Sequence, residues 1–170
     1  MTVKWIGAAC IIGSCCGVGF SMANAYRKEE AALQQLETAL QYMLCELQYR
    51  LSPLPDLCRS VARECNGCIQ LVFQNLAEEL ENQIAPDATV CMNEAIHKVS
   101  QIPERVKKLL KQLGIGLGRF DLEGQQKGLE SVRIMCQRDL EELARNRDVR
   151  LRNYRTLGLC AGCALAILFL

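Results

Sequence analysis

Histidine occurs once in the 170 residues, as His97, and aromatic residues make up only 5% of the chain. One imidazole leaves histidine-based catalysis a single candidate with no partner, and His97 reads as a solvent-facing or groove residue of a helix. A nucleophile motif, a Walker loop and a metal-ligand pattern are all missing, so the chain reads as a non-enzyme that needs no cofactor. β-branched runs are rare as well, and no stretch makes a convincing strand. Leu, Glu, Gln, Arg and Ala dominate the middle, which points to helices. Charge of one sign is lacking too: 20 basic residues against 19 acidic give nucleic acid no overall attraction.

Cysteine, by contrast, is abundant. Eleven are present, an odd number and a poor disulfide framework. Five of them (Cys10, Cys15, Cys16, Cys160 and Cys163) fall in the apolar ends. Cys45, Cys58, Cys91 and Cys136 sit within helical patterns, where a reduced thiol is a small hydrophobe. A reducing compartment fits this usage best.

The ends carry the strongest signals. Trp5 to Tyr26 holds 22 residues without a charge, between Lys4 and Arg27-Lys28. As a helix it reaches about 33 Å, enough for a hydrocarbon core of about 30 Å. Ala23-Asn24-Ala25 has the form of a signal-peptidase site, and Ile12-Gly13-Ser14-Cys15 faintly that of a lipoprotein box. An uncleaved anchor is favoured over both, because a second signal keeps the middle of the chain inside. That signal is the collar Arg145, Arg147, Arg150, Arg152 and Arg155, set against one acid, Asp148, ahead of an uncharged tail from Leu157 to Leu170. Arginines stay on the cytoplasmic side among anionic headgroups while the apolar helix enters lipid. The tail alone reaches only about 21 Å, so it reads as the weaker half of a hairpin. Gly13–Gly17 and Gly158–Gly162 are both GxxxG pairs that let helices approach closely in lipid, joining the two anchors or dimerising either one.

Between the ends the periodicity is helical throughout. Leu33, Leu36, Leu40, Met43, Leu44, Leu47 and Leu51 form one apolar face, continuous with the first anchor. Ser52-Pro53-Leu54-Pro55-Asp56 ends it, with Ser52 as cap and the prolines in the first turn of a short helix carrying Leu57, Val61 and Ala62. Asn66-Gly67 stops that helix. A third carries Ile69, Val72, Phe73, Leu76 and Leu80, and closes by Pro86. Asp87 or Thr89 caps a fourth with Cys91, Ala95 and Val99 inward. Pro103 opens a fifth with Val106, Leu109, Leu110, Leu113 and Leu117. Gly114, Gly116 and Gly118 read as a flexible turn, since the lysine, strand and helix start of a phosphate loop are absent. From Asp121 a last long helix carries Leu122, Leu129, Val132, Cys136, Leu140, Leu143 and Leu151 into the tail.

Two groupings invite chemistry. Cys65-Asn66-Gly67-Cys68 is a CxxC, but it lacks a second pair for zinc and a βαβ context for redox work. Two small residues at a helix corner account for it; a redox- or metal-responsive membrane protein built on Cys65 and Cys68 is the alternative reading. Glu78, Glu79 and Glu81 point in different directions on a helix and read as a solvated face.

The order of these pieces resembles the stage III sporulation protein AB family, small membrane proteins of endospore-forming bacteria. The likeness lies in an N-terminal anchor followed by Tyr26-Arg27, the run Leu33, Leu36, Leu40, and Leu51-Ser52-Pro53-Leu54-Pro55-Asp56-Leu57. It continues in Leu113-Gly114-Ile115-Gly116-Leu117-Gly118 with Asp121 and Gln125 or Gln126, and ends in Tyr154-Arg155-Thr156-Leu157-Gly158. The Leu-Ser-Pro-Leu-Pro-Asp-Leu turn is also similar to the F-type platform proteins of type II secretion and type IV pili. The resemblance implies a helical bundle in the mother-cell membrane around the forespore. There it joins a secretion-like channel complex and links a cytoplasmic secretion-type ATPase to membrane components.

The expectation is therefore an all-α chain of about six helices: an anchor over 1–26, a cytoplasmic bundle over 27–155 and an anchor over 156–170. Its expected partners are that ATPase, membrane components of the complex, lipid and further copies of itself, with no nucleic acid. Two segments are the candidate partner-binding surfaces: Ser52, Pro53, Leu54, Pro55, Asp56 and Leu57, and Gly114, Gly116, Gly118 and Asp121. Both are expected at loop tips, where recognition is easily placed.

Overall fold

The computed structural model describes the backbone of residues 2–49, 52–82, 87–117 and 122–169, and the side chains of 21–49, 52–82, 87–117 and 122–145. Six helices account for it: α1 (Thr2–Tyr49), α2 (Leu54–Glu64), α3 (Gly67–Asn82), α4 (Ala88–His97), α5 (Glu104–Gly116) and α6 (Leu122–Phe169). Among the described residues there is no strand.

Contacts divide the chain into two units, Met1–Lys28 with Glu142–Leu170, and Glu29–Glu141. In the first, the Tyr26 hydroxyl donates to the Leu143 carbonyl, and Ala23, Tyr26 and Leu143 are buried. The collar's Arg145 is exposed. Arg147, Arg150, Arg152 and Arg155, and the glycines at 13, 17, 158 and 162, lie outside the residues whose side chains are described. So does most of each expected anchor. Among the described residues, no helix is long and apolar enough to cross a membrane.

The second unit is a bundle with an apolar interior. α1 buries Leu33, Leu36, Ala39, Leu40, Met43 and Leu47, the three-and-four spacing of one helix face. Leu44 on the flank of that face is only half-buried. α3 contributes Ile69, Val72, Phe73, Leu76, Ala77 and Leu80, and Phe73 is among the largest side chains with no exposure. α4 supplies Cys91, Met92, Ala95 and Ile96, while Val99 lies past its end and is half-buried. Leu129, Val132 and Cys136 face inward from α6. Leu140 is half-buried, and Leu122, in the first turn of α6, is 41% exposed. No polar residue is buried among those described, so packing holds the bundle; truncating one of the larger side chains to alanine costs about 2–5 kcal/mol.

Local chemistry sets the corners. Pro53 is extended (ψ 143°) and caps α2 without any side-chain hydrogen bond, so Ser52 is not the cap its residue type suggested. Proline at the start needs no cap to meet its own absent N–H, and Pro55 in the first turn loses nothing for the same reason. α2 stops at Cys65, and Gly67 opens α3 at φ 68°, a conformation that glycine takes without a Cβ penalty. α4 begins as expected at Asp87, whose carboxylate accepts from the Thr89 N–H at 2.8 Å.

The helices close a cycle. α2 packs on α3, α3 on α4 and α4 on α5. Tyr42 of α1 hydrogen-bonds Ser60 of α2, and Gln35 of α1 accepts from the Asn66 N–H at 2.9 Å beyond the far end of α2. Arg105 of α5 reaches Asp139 of α6 at 3.4 Å, and the Cys136 thiol of α6 donates to the Leu33 carbonyl of α1 at 3.4 Å. Rising numbers on one helix pair with falling numbers on the next in α1–α2, α5–α6 and α1–α6, so these neighbours are antiparallel.

Candidate partner-binding surface

The antiparallel order fixes which loops share an end. Glu29 and Asp139 lie at one end of the bundle, level with Arg105 near the start of α5. From there α1 runs about 30 Å to Tyr49, and α5 and α6 meet again towards their other ends, at Gly116 and Gly128. α2 begins beside the end of α1. The first segment and the Gly114–Gly116 part of the second, 57 residues apart in sequence at their nearest, therefore stand at the same end.

What each offers is narrower than its sequence suggests. In the first, Pro53 and Asp56 are exposed, Ser52, Leu54 and Pro55 are half-buried, and Leu57 is 1% exposed and belongs to the core. The Leu57 N–H donates to the Pro53 carbonyl at 3.0 Å, so the turn is already the first turn of α2. Asp56 complements the helix dipole there and lies 3.6 Å from Arg59, whose guanidinium also donates to Glu81 near the end of α3. The turn is thus tied down on both sides.

In the second, Gly114 and Gly116 are not turn formers. They sit inside α5, and at Gly114 the lack of a side chain is used for packing. A Cβ on Gly114 would lie 2.7 Å from the Met92 Cβ and 3.4 Å from the Ala88 carbonyl oxygen. Gly116 faces Gly128 of α6, where an added Cβ would stand 3.9 Å from the opposing Cα. Glycine at 114 lets α4 approach α5 this closely, and Thr89 adds a bond from its hydroxyl to the Gly114 carbonyl at 3.4 Å. The surface left by this segment is Ile115, 42% exposed. Gly118 and Asp121 lie outside the described residues.

The cysteine pair makes a corner. Cys65 caps α2, is 1% exposed, and lies with its thiol 3.6 Å from the Gln35 carbonyl; burial and then Glu64 push it up to about 11. Burial also raises the half-buried Cys68. Reactive cysteines need the opposite shift. Burial likewise pushes Cys58 and Cys136 up to about 12. The acids separate as expected of a helix: Glu81 goes to Arg59 on α2 and Glu79 to Lys98 beyond α4, while Glu78 is exposed. His97 is exposed in the last turn of α4.

Sequence reasoning missed Arg105. It stands between Glu29 of α1, at 3.6 Å, and Asp139 of α6, at 3.4 Å, joining three helices at the end of the bundle opposite the candidate surface. All three groups are about 25–31% exposed. Separations of 34 and 76 residues give no local pattern that could have announced them. A second tie on that flank runs from the Gln137 amide to Glu37 at 2.9 Å.

Comparison with known proteins gives two findings. A family model described as "Stage III sporulation protein AB (spore_III_AB)" matches residues 4–170. A solved structure of "Stage III sporulation protein AB (SpoIIIAB)" is similar with a TM-score of 0.62 and 20% identity, over 72% of this chain and 98% of that chain. At that identity the likeness concerns the fold. No curated protein matches the chain significantly.

Proposed function

This chain belongs to the stage III sporulation protein AB family and has a sporulation-related role, and from that premise we propose that it is a non-enzymatic membrane platform. In this reading its apolar ends anchor it in the mother-cell membrane around the forespore, with the bundle in the cytoplasm. The arginine collar from Arg145 to Arg155 binds anionic headgroups, and the GxxxG pairs hold the anchors together. The bundle couples a secretion-type ATPase to the membrane components of a channel complex.

One observation chiefly supports the reading. A bundle with a wholly apolar described interior brings Pro53, Asp56 and the end of α5 to one end, opposite Glu29 and Asp139. Rigid, fixed loop ends suit the holding of partners better than catalysis. The test is capture of the tagged full chain from sporulating cells after crosslinking. Co-purification of a secretion-type ATPase is expected, reduced by Asp56→Lys. Recovery of no ATPase and no membrane partner overturns the platform.

A further inference from the structure

Two faces of the bundle carry opposite charge in matched spacing. On α5, Lys108, Lys111 and Ile115 point outward at steps of three and four. Ile115 is 42% exposed, and among the described residues neither lysine has an acidic partner. Lys107 is already paired with Glu104 at 3.0 Å, so this face keeps two uncompensated cations beside one apolar anchor.

The complementary face lies on α3 and α4. Leu71, Gln74 and Glu78 are exposed on α3; Val90, Glu94 and His97 are exposed on α4. Leu71 is 49% and Val90 48% exposed. Lys98 sits among Glu79, which it hydrogen-bonds, Glu78 and Glu94, and all three favour its charged form. One cation against three carboxylates leaves the face acidic. Here too an apolar residue stands one or two turns from the charges: Val90 to Glu94 is four residues, about 6 Å along the helix, and Leu71 to Glu78 is seven, about 10 Å. Lys111 to Ile115 repeats the Val90 to Glu94 interval, and Lys108 lies one turn further from Ile115.

We propose that the Lys108–Lys111–Ile115 face of α5 docks a second copy of this chain through its α3–α4 face, the lysines against Glu78 and Glu94 and Ile115 against Val90. The two patches are different surfaces of one molecule, so the contact is head-to-tail. Each copy keeps one free patch of either sign, and association continues until the rotation closes a ring or a chain of copies forms. This contact needs neither the platform reading nor the membrane ends.

Sedimentation velocity on the full chain in detergent tests it, with two charge-reversed variants: Lys108→Glu/Lys111→Glu, and Glu78→Lys/Glu94→Lys. The native chain is expected to associate at about 100 μM in low salt. That association should be lost in 1 M salt, where the screening length is about 3 Å. Each variant alone presents like charges across the contact and should self-associate at least about a hundredfold more weakly. Mixed in equal amounts, the two variants restore opposite charges at both contacts and should associate again. Lys108→Gln/Lys111→Gln gives intermediate weakening and checks that the reversed variants have not simply unfolded, as does their helical circular dichroism. The proposal is overturned if the native chain stays monomeric, if either variant associates as the native chain does, or if the folded variants fail to associate when mixed.

Discussion

The contact of α4 with α5 and that of α1 with α6 are built on opposite plans. Where α4 meets α5, Gly114 removes a side chain so that Met92 can lie almost on the backbone. Where α1 meets α6, side chains reach across: Cys136 to the Leu33 carbonyl, Gln137 to Glu37, and Arg105 from α5 to carboxylates on both. The first seam has no slack, because close-packed atoms cannot interpenetrate. The second can lose one tie and keep the others. A steric seam should therefore fail abruptly on substitution and a tied seam by degrees.

The largest expected effect breaks the steric seam. Gly114→Leu should lower stability by about 3 kcal/mol or more in urea unfolding. Gly114→Ala should lose less, because the clash at 2.7 Å is partly offset by roughly 1 kcal/mol of helix propensity. If Gly114→Leu melts like the native chain, close approach is not what holds α4 on α5.

Next comes alkaline pH, which reaches the tied seam through Cys136. Cys58 and Cys136 are held protonated up to about 12 in the fold, whereas an unfolded thiol ionises near 9. Above pH 9 the unfolded state therefore binds fewer protons, and stability falls as pH rises. Stability is full below pH 9, and above it the loss grows by about 1.4 kcal/mol per pH unit for each thiol towards pH 12. Comparing the native chain with Cys58→Ala/Cys136→Ala at pH 8 and pH 10.5 isolates this term; equal pH slopes would refute it.

Smaller again, Arg105→Ala should cost about 1–2 kcal/mol. It leaves Glu29 and Asp139 without their shared cation, but both keep some contact with water. Arg105→Ala and Gln137→Ala together should then cost less than the steric break alone. The smallest contrast concerns helix starts. Asp87→Ala removes a capping bond and should cost about 1 kcal/mol, while Ser52→Ala should change thermal stability by less than about 0.5 kcal/mol.

Much of this architecture was legible in the sequence because it rests on local rules. Periodic leucines place the inward face of α1 and α5 almost residue by residue, and prolines and Asp87 mark helix starts. What escaped was whatever depends on a neighbour distant in sequence. Three glycines within five residues look like a turn until Met92 is seen against Gly114; a helix tolerates glycine where a neighbouring helix needs the space. Leu57 looks like part of a recognition motif because it completes the turn, yet the same helix periodicity that defines α2 turns it inward. Arg105 looks like one base of a basic helix, and only the return of α6 beside α1 gives it its two acids.

The bond between Cys136 and the Leu33 carbonyl spans 103 positions of chain. The cycle of helices is thus completed by its first and last members, the contact of greatest sequence separation. Local hairpins such as α2–α3 can form early, but loop-closure entropy delays the meeting of α1 with α6. While the chain is being synthesised, the side of α1 around Leu33 that meets Cys136 must wait uncovered until α6 has emerged from the ribosome. The newborn protein is therefore most prone to aggregation late in its synthesis, and truncation within α6 should leave a sticky, incompletely folded product.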